Sequence, residues 1–543
     1  MEKRCIFLLI LFIVCRVVVY AQTITTFAGG GLSLVNNTSA LLSNIHAPLS
    51  GAFDKYGNYY FATGIGNSSV KKVNINGLIS TIAGNGSDGF SGDNGLAVLA
   101  QMHGIMGIAI DTNCNVYIAD YYNARIRKVD AITGIITTFA GNGVHNSLGD
   151  NGSALSAALV PENVSADRFG NIYVLDSVSV VRKINASGII NSYAGISGFS
   201  GYSGDNGPAT SAQIAYSYGL CNDTAGNLYI GCVGRIRKVN KNTGVITTVA
   251  GNGNEIYIGD GMPALQAQFD PYQITTDLLG NIYMVDEGNF QQRALQISAA
   301  GIFHAIAGNG TSGYSGDNGP AISAQLYNPA GVTTDSCGNV YIADAVNHRI
   351  RKVWIGTTTI PSASIDVSPN DTVCTGTSVI FTATPISAGS NPTYQWLKNG
   401  VVVSTATNST YTYSPTNGDS IQCIVVSSIA CAGPALSNAI HMTVTPSVIP
   451  TISVSPNPND TVCATTSVTY TATTTNGGTT PIYQWVKNGV NVGTNSATYN
   501  YTPNNLDSIR CVLTSNATCA TPATLSSNTI NMTVNPLLIP TIS

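Results

Sequence analysis

Six short phrases, evenly spaced, constrain this chain more than anything else in it. They are GNYYFAT at 57, CNVYIAD at 114, GNIYVLD at 170, GNLYIGC at 226, GNIYMVD at 280 and GNVYIAD at 338, about 56 residues apart. An apolar run ending in Asp precedes each, as in GIAIDTNCN and GVTTDSCGN. A run of alternating basic residues follows, such as RIRKV, and then a run of the ITTFAG type. Each unit therefore reads as four short strands, a to d, separated by turn residues.

Four-stranded units repeated about a ring make a β-propeller. The sixth unit ends at Trp354 without a strand d, while the phrase TITTFAGGG stands alone at Thr23–Gly31. An unclosed ring leaves a bare strand edge. The expectation is that Thr23–Ala28 pairs with Arg349–Val353 and completes the last unit with the first strand of the chain.

The Asp before each Gly-Asn (Asp54, Asp111, Asp167, Asp223, Asp277, Asp335) recurs in all six units. Asp-x-x-Gly-Asn is hairpin-turn chemistry, Asp bonding nearby backbone and Gly adopting the left-handed conformation, so these carboxylates read as structural. Strands within a unit alternate in direction. The tight a–b hairpins then lie on one face, and the b–c loops share the other with long d–a connections of roughly twenty residues. Such connections exceed the usual length and are commonly functional. Three carry GYSGDNGPATSAQ-like text and place an aromatic beside an acid: Phe90 with Asp93, Tyr202 with Asp205, and Tyr314 with Asp317. These six are the candidate ligand-binding residues, suited to a sugar or a protein partner; the competing reading is that the rings plug gaps between units. The loop lacks the Lys-Ser/Thr pair of a P-loop and the oxygen count of an EF-hand. PATSAQ reads as a short helical turn with Pro at its first position.

Fourteen of the 23 lysines and arginines fall in strand c. They are spread one set per unit and follow a local Asp such as Asp120 or Asp344, which reads as pairing between neighbouring blades. A net charge of −4 offers no general attraction for nucleic acid. His46 and His103 fall at matching places ahead of strand a, but a catalytic zinc needs three protein ligands. No catalytic residue, metal site or cofactor is expected.

Residues 23–354 resemble the NHL-repeat family of six-bladed propellers, on NVYIADYYNARIRKV and NVYIADAVNHRIRKV. The phrases AGNG…SGDNGPATSAQ resemble the NHL variety of secreted bacterial proteins and teneurin-type cell-surface receptors. The resemblance implies the fold and leaves function open, since propellers carry unrelated activities. Some relatives bind RNA through a basic face, and lyases or calcium-dependent lactonases of similar fold work at the tunnel mouth.

The text changes after Trp354. Residues 361–446 and 450–536 are two tandem copies of one pattern, with YQWLKNG matching YQWVKNG. Trp396 and Trp485 sit where an immunoglobulin-like sandwich places its core Trp. The copies resemble the Ig-like or PKD-like modules of bacterial surface proteins. The fold class is thus all-β, a six-bladed NHL propeller over 22–355 followed by two Ig-like β-sandwiches. Each copy has three cysteines (Cys374, Cys423, Cys431; Cys463, Cys511, Cys519), enough for one bridge and one leftover thiol. The resemblance implies Cys374–Cys431 and Cys463–Cys519; simple sandwich geometry favours Cys374–Cys423. Residues 537–543 restate the opening of the second copy, as the start of a further module or a linker.

Residues 1–21 combine a basic start, an apolar run and small residues at Val19 and Ala21, which reads as a cleaved signal peptide. Export would permit disulfides. Charged residues make up 9% of the chain, against about 25% in an average soluble domain, so Thr, Ser, Asn and Gly carry the surface. The expectation is a non-catalytic, secreted or surface-displayed bacterial binding or adhesion protein. Its partner would be an extracellular protein or glycan, with no nucleic acid and no transmembrane segment after cleavage. The alternatives are a metal-dependent lyase or lactonase in the tunnel, and a purely structural spacer.

Overall fold

The computed structural model describes residues 22–64, 66–176, 179–286, 291–355 and 360–537. Residues 1–21, read above as a signal peptide, and nearly all of 537–543 lie outside them. Two compact units divide the chain. One runs to Ser364 and takes in Pro385–Thr405 and Cys423–Ser437; the other holds Ile365–Thr384, Ala406–Gln422 and Asn438–Ser543.

The six repeats form six small antiparallel sheets, in the order a-b-c-d. The second is typical: Ile105–Ile110, Val116–Asp120, Arg125–Val129 and Ile135–Ala140. Strands a of successive sheets are neighbours, and that of the sixth, Pro329–Thr334, returns to that of the first, Pro48–Phe53. The arrangement is a closed ring of propeller type. Its core lies in the gaps between sheets. One gap packs Ala62, Val70 and Ala83 of the first sheet against Ile108 and Ile118 of the second.

The sixth sheet takes its strand d from the start of the chain. Thr23–Gly29 runs antiparallel to Arg349–Trp354, from Thr23 opposite Trp354 to Gly29 opposite Arg349. Ile24 and Ala28 are fully buried, and they enter the gaps on opposite sides of this sheet. One strand therefore seals two interfaces.

The PATSAQ segments are wedges. Each is a three-residue 3-10 turn, such as Ala209–Ser211, with Pro208 capping it from outside rather than occupying its first position. Ala209 and Ala212 are buried and join the core between the third and fourth sheets. Small side chains are needed because the turn is pressed between two sheets.

In the tail, the second copy forms Thr451–Asn457, Val468–Thr475 and Thr498–Tyr501 as one sheet and Ile482–Lys487 with Ser508–Thr514 as the centre of another. A parallel pair, Thr461–Cys463 with Thr533–Asn535, accompanies them. Trp485 is fully buried at the centre of its core, beside Tyr470 and Cys511, and donates its indole N–H to Ser496 O at 2.9 Å. The first copy repeats this strand order, and its Trp396 is likewise buried.

The disulfides differ from every pairing the sequence offered. Cys374 joins Cys519, and Cys431 joins Cys337 of the sixth repeat. Cys423 and Cys511 are buried thiols, and Cys463 is exposed. The reason is the junction between the copies. Thr372–Cys374 lies beside Thr443–Thr445, and Val448, just beyond, bonds to Cys519. Cys374 thus meets the loop of the following copy rather than its own. Among the described residues no helix is long and apolar enough to cross a membrane.

Candidate functional site

The two ends of the ring are built differently. At the a–b hairpin end the six turns are one motif. Asp111 Oδ1 accepts from Asn113 N at 2.8 Å and Asn115 N at 2.9 Å; Oδ2 accepts from Asn115 Nδ2 at 2.8 Å and the Tyr117 hydroxyl at 3.3 Å. Asp54, Asp167, Asp277 and Asp335 repeat the set of four, and Asp223 keeps its bonds to Asn227 and the Tyr229 hydroxyl. These carboxylates are committed to the turn.

At the opposite end, the strand c arginines clamp acids. Arg127, fully buried, reaches Asp93 at 2.8 Å and Asp120 at 3.4 Å. Arg351 does the same with Asp317 at 2.8 Å and Asp344 at 3.4 Å, and Arg182 with Asp150 at 2.7 Å and Asp176 at 3.1 Å. In the fourth sheet Arg237 holds Asp205 at 2.6 Å, where Cys232 stands in place of the second acid. The pairing is therefore not between blades. It lies within one sheet and the connection entering it, because the residues after Asp93 pair with strand d of the same sheet. Burial pushes the Asp344 carboxyl up to about 6, against the bonds from Tyr327, Asn347 and Arg351 that pull it down. Burial also raises Asp205, yet the bonds from Thr248, Arg237 and Tyr202 outweigh it and leave the group below the usual carboxylate range.

The candidate aromatics sit on this lattice. Arg125 lies over the Phe90 ring at 4.1 Å, Arg235 over Tyr202 at 3.8 Å, and Arg349 over Tyr314 at 3.9 Å. The Tyr202 and Tyr314 hydroxyls donate to Asp205 at 2.9 Å and Asp317 at 2.8 Å. Each ring keeps an open side: Phe90, Tyr202 and Tyr314 are 43%, 46% and 42% exposed. The structure thus brings Tyr202 and Tyr314 to their acids, while Phe90 reaches Asp93 only through Arg127. His46 and His103 part company. His46 stacks on His348 at 5.3 Å, while His103 lies 4.6 Å from the Tyr122 ring and 3.9 Å from Asp88. Among the described residues one group of three possible metal ligands lies together, Asp335, Cys337 and Cys431, and its two cysteines are bonded to each other.

Along the inner strands lies a site that the repeats did not announce. In the second to sixth inner strands the register slips at the second residue: Met106, Glu162, Tyr218, Tyr272 and Ala330. Such bulges re-aim a side chain, and these lie at the end of the inner strands that meets the b–c turns. The Tyr218 and Tyr272 rings lie 5.2 Å apart. Tyr121 and Tyr122, on the b–c turn of the second sheet, meet edge to face at 4.9 Å, and Tyr121 lies 5.8 Å from the His145 ring. The Glu162 charge acts on the Tyr121 hydroxyl, as Tyr122 and Tyr218 also do. Four tyrosines from three repeats are thus linked in a chain of neighbours, and the half-buried Glu162 acts on one of them, Tyr121. Burial first, and the Asp176 charge second, push Glu162 up to about 7.

Asn163 makes a floor beneath the mouth. Its Nδ2 donates to Tyr218 O at 2.7 Å and to Gln273 Oε1 at 3.2 Å, reaching past the inner strand of the fourth sheet. The facing positions there are glycines: a Cβ on Gly107 would collide with the Asn163 amide. Below the floor, all six inner strands line a cavity of about 170 Å³.

The NHL repeat family matches residues 326–353, the inner three strands of the sixth repeat. No curated protein matches the chain. Among solved structures, a protein of unknown function from Bacteroides thetaiotaomicron is 18% identical, with 61% of this chain and 76% of that one covered and a TM-score of 0.45. An auxiliary nutrient binding protein from the same organism is 15% identical, covering 62% and 77%, also at 0.45. A streptogramin B lyase is 16% identical, covering 62% and 98%, at 0.36.

Proposed function

We propose that this chain is a non-catalytic binding protein of the bacterial cell exterior, a six-bladed NHL-type propeller carried on Ig-like modules. Its ligand, a glycan or other extracellular molecule, docks on the face with the b–c turns and long connections. The observation that carries this is the tyrosine cluster at the cavity mouth. Tyr122 and Tyr218 are 46% and 39% exposed, and aromatic faces beside polar groups are how concave sites hold amphipathic ligands. Phe90, Tyr202 and Tyr314, with Asp93, Asp205 and Asp317, form the outer border of the same surface. The test is a glycan and metabolite screen of the full chain, repeated with Tyr121→Ala/Tyr218→Ala. Hits lost in the variant at unchanged melting temperature support the mouth as the site; hits that all persist overturn it.

A second reading, a tunnel lyase or lactonase, draws on Glu162 alone. A carboxylate titrating near neutrality suits a general base. Turnover of lactones or cyclic esters that disappears in Glu162→Gln would install that reading.

A further inference from the structure

We propose that the cavity mouth binds the ammonium group of a small organic cation, held between the Tyr121, Tyr218 and Tyr272 rings and the Glu162 carboxylate. The inference rests on the binding reading above and names the ligand class for that site.

Among the described residues Glu162 has no ion pair or hydrogen bond, although guanidinium groups lie nearby. Arg182 is committed to Asp150 and Asp176, and Arg127 to Asp93 and Asp120. A half-buried carboxylate is costly without a counter-charge, and the raised Glu162 value expresses that cost. The surroundings supply aromatic rings, which attract a cation through their faces. The amide floor of Asn163 and Gln273 adds polar groups without charge. An anion-binding function would need the opposite inventory, and among the described residues the buried strand c arginines Arg127, Arg182, Arg237 and Arg351 are all held by acids.

The charged and titratable groups at this end are Asp176, held by Arg182 and acting on Glu162, Tyr121, on which the Glu162 charge acts, His145, 5.8 Å from the Tyr121 ring, and the Tyr218 and Tyr272 pair on the next two inner strands. Acidification protonates Glu162 and removes the charge that would hold a cation.

The experiment is titration of the full chain by calorimetry and tyrosine fluorescence. Probes are choline, tetramethylammonium and the neutral choline isostere 3,3-dimethyl-1-butanol. The cations should bind at least about tenfold more tightly than the isostere. Tetramethylammonium, whose charge is fixed, should bind more tightly at pH 8 than at pH 5. Glu162→Gln should lose about tenfold in cation affinity and most of that pH dependence. Tyr218→Leu, a conservative apolar change, should also weaken binding. Equal affinity for cation and isostere, an unchanged Glu162→Gln, or no binding of either cation would overturn the proposal. A screen hit that is neutral and lost in Tyr121→Ala/Tyr218→Ala would overturn this inference while leaving the binding reading in place.

Discussion

The two ends of the inner strands show what repetition does and does not control. At the hairpin end Asp-x-x-Gly-Asn occurs in every repeat but one, where Cys114 replaces the Gly, and its Asp holds the backbone and side chain of that Asn each time. At the other end the second residue of the inner strand varies, with only tyrosine used twice: Leu49, Met106, Glu162, Tyr218, Tyr272 and Ala330. Both ends belong to the same strands and the same ring. A hairpin must close in every sheet, so its chemistry is needed six times. The mouth is formed once, by all six repeats together, and each contributes its own side chain. The uniform end carries the architecture, and the varied end is free to carry a ligand.

The comparison can be broken most violently at its closing strand. Deleting residues 22–30 removes Ile24 and Ala28 from two gaps at once and bares the strand c edge of the sixth sheet. The melting temperature should fall on the order of 10 °C or more. An unchanged melt by calorimetry would show that the ring does not depend on this strand.

A smaller loss should follow Arg351→Leu. The fifth repeat already carries Leu295 at this place, buried in the core, so the sheet itself tolerates the apolar side chain. In the sixth repeat the change strands the fully buried Asp344, and stability should drop by about 3–5 kcal/mol. Adding Asp344→Asn should recover part of it. Denaturant unfolding of the single and double variants decides whether the buried charge or the packing is at fault.

Smaller again is the contrast between one carboxylate at each end. Asp111→Ala removes the acceptor of four bonds and should cost about 1–3 kcal/mol. Glu162→Gln should cost nothing at acid pH and should become stabilising as pH rises. The folded-state value near 7 lies above the ordinary glutamate value. Glu162 therefore stabilises the fold least when ionised: its contribution is intact at acid pH and is lost as pH rises from about 4.5 through 7. The variant should melt like the parent at pH 4 and above it at pH 8. Equal melts at both would place Glu162 in contact with water or an unseen partner.

The smallest effect expected is at the one hairpin that breaks the pattern. Cys114 holds φ +67°, where the other five repeats place Gly. Cys114→Gly should relieve left-handed strain and change stability by less than about 1 kcal/mol, upward. A clear destabilisation would mean that burial of the thiol outweighs the strain.

The hairpins and the borrowed strand were legible because both are local or repeated: turn residues at fixed offsets, and a phrase present once too often. The partners of the arginines were half legible. The Asp before each b–c turn is visible beside its Arg, but the second acid stands in a connection that the sequence assigns to no sheet. The small residues after it, Gly95 and Leu96, pair with Ile136 and Ile135, and that pairing decides which sheet the acid serves. The disulfides are not legible for a related reason. The repeated pattern presents each tail copy as a closed unit, whereas Cys374 and Cys519 meet at the junction between copies.

By itself the sequence determined the all-β class, the six-fold count of strand units, the hairpin chemistry and the need for the first strand at the end of the ring. Periodicity and turn residues act over a few positions, and a linear text displays them. Only the tertiary structure decided that Tyr121, Glu162, Tyr218 and Tyr272 share one mouth. Those positions are separated by up to three repeats and follow no pattern. What joins them is the closure of the ring, which converts the second residue of each inner strand into a neighbour of the others.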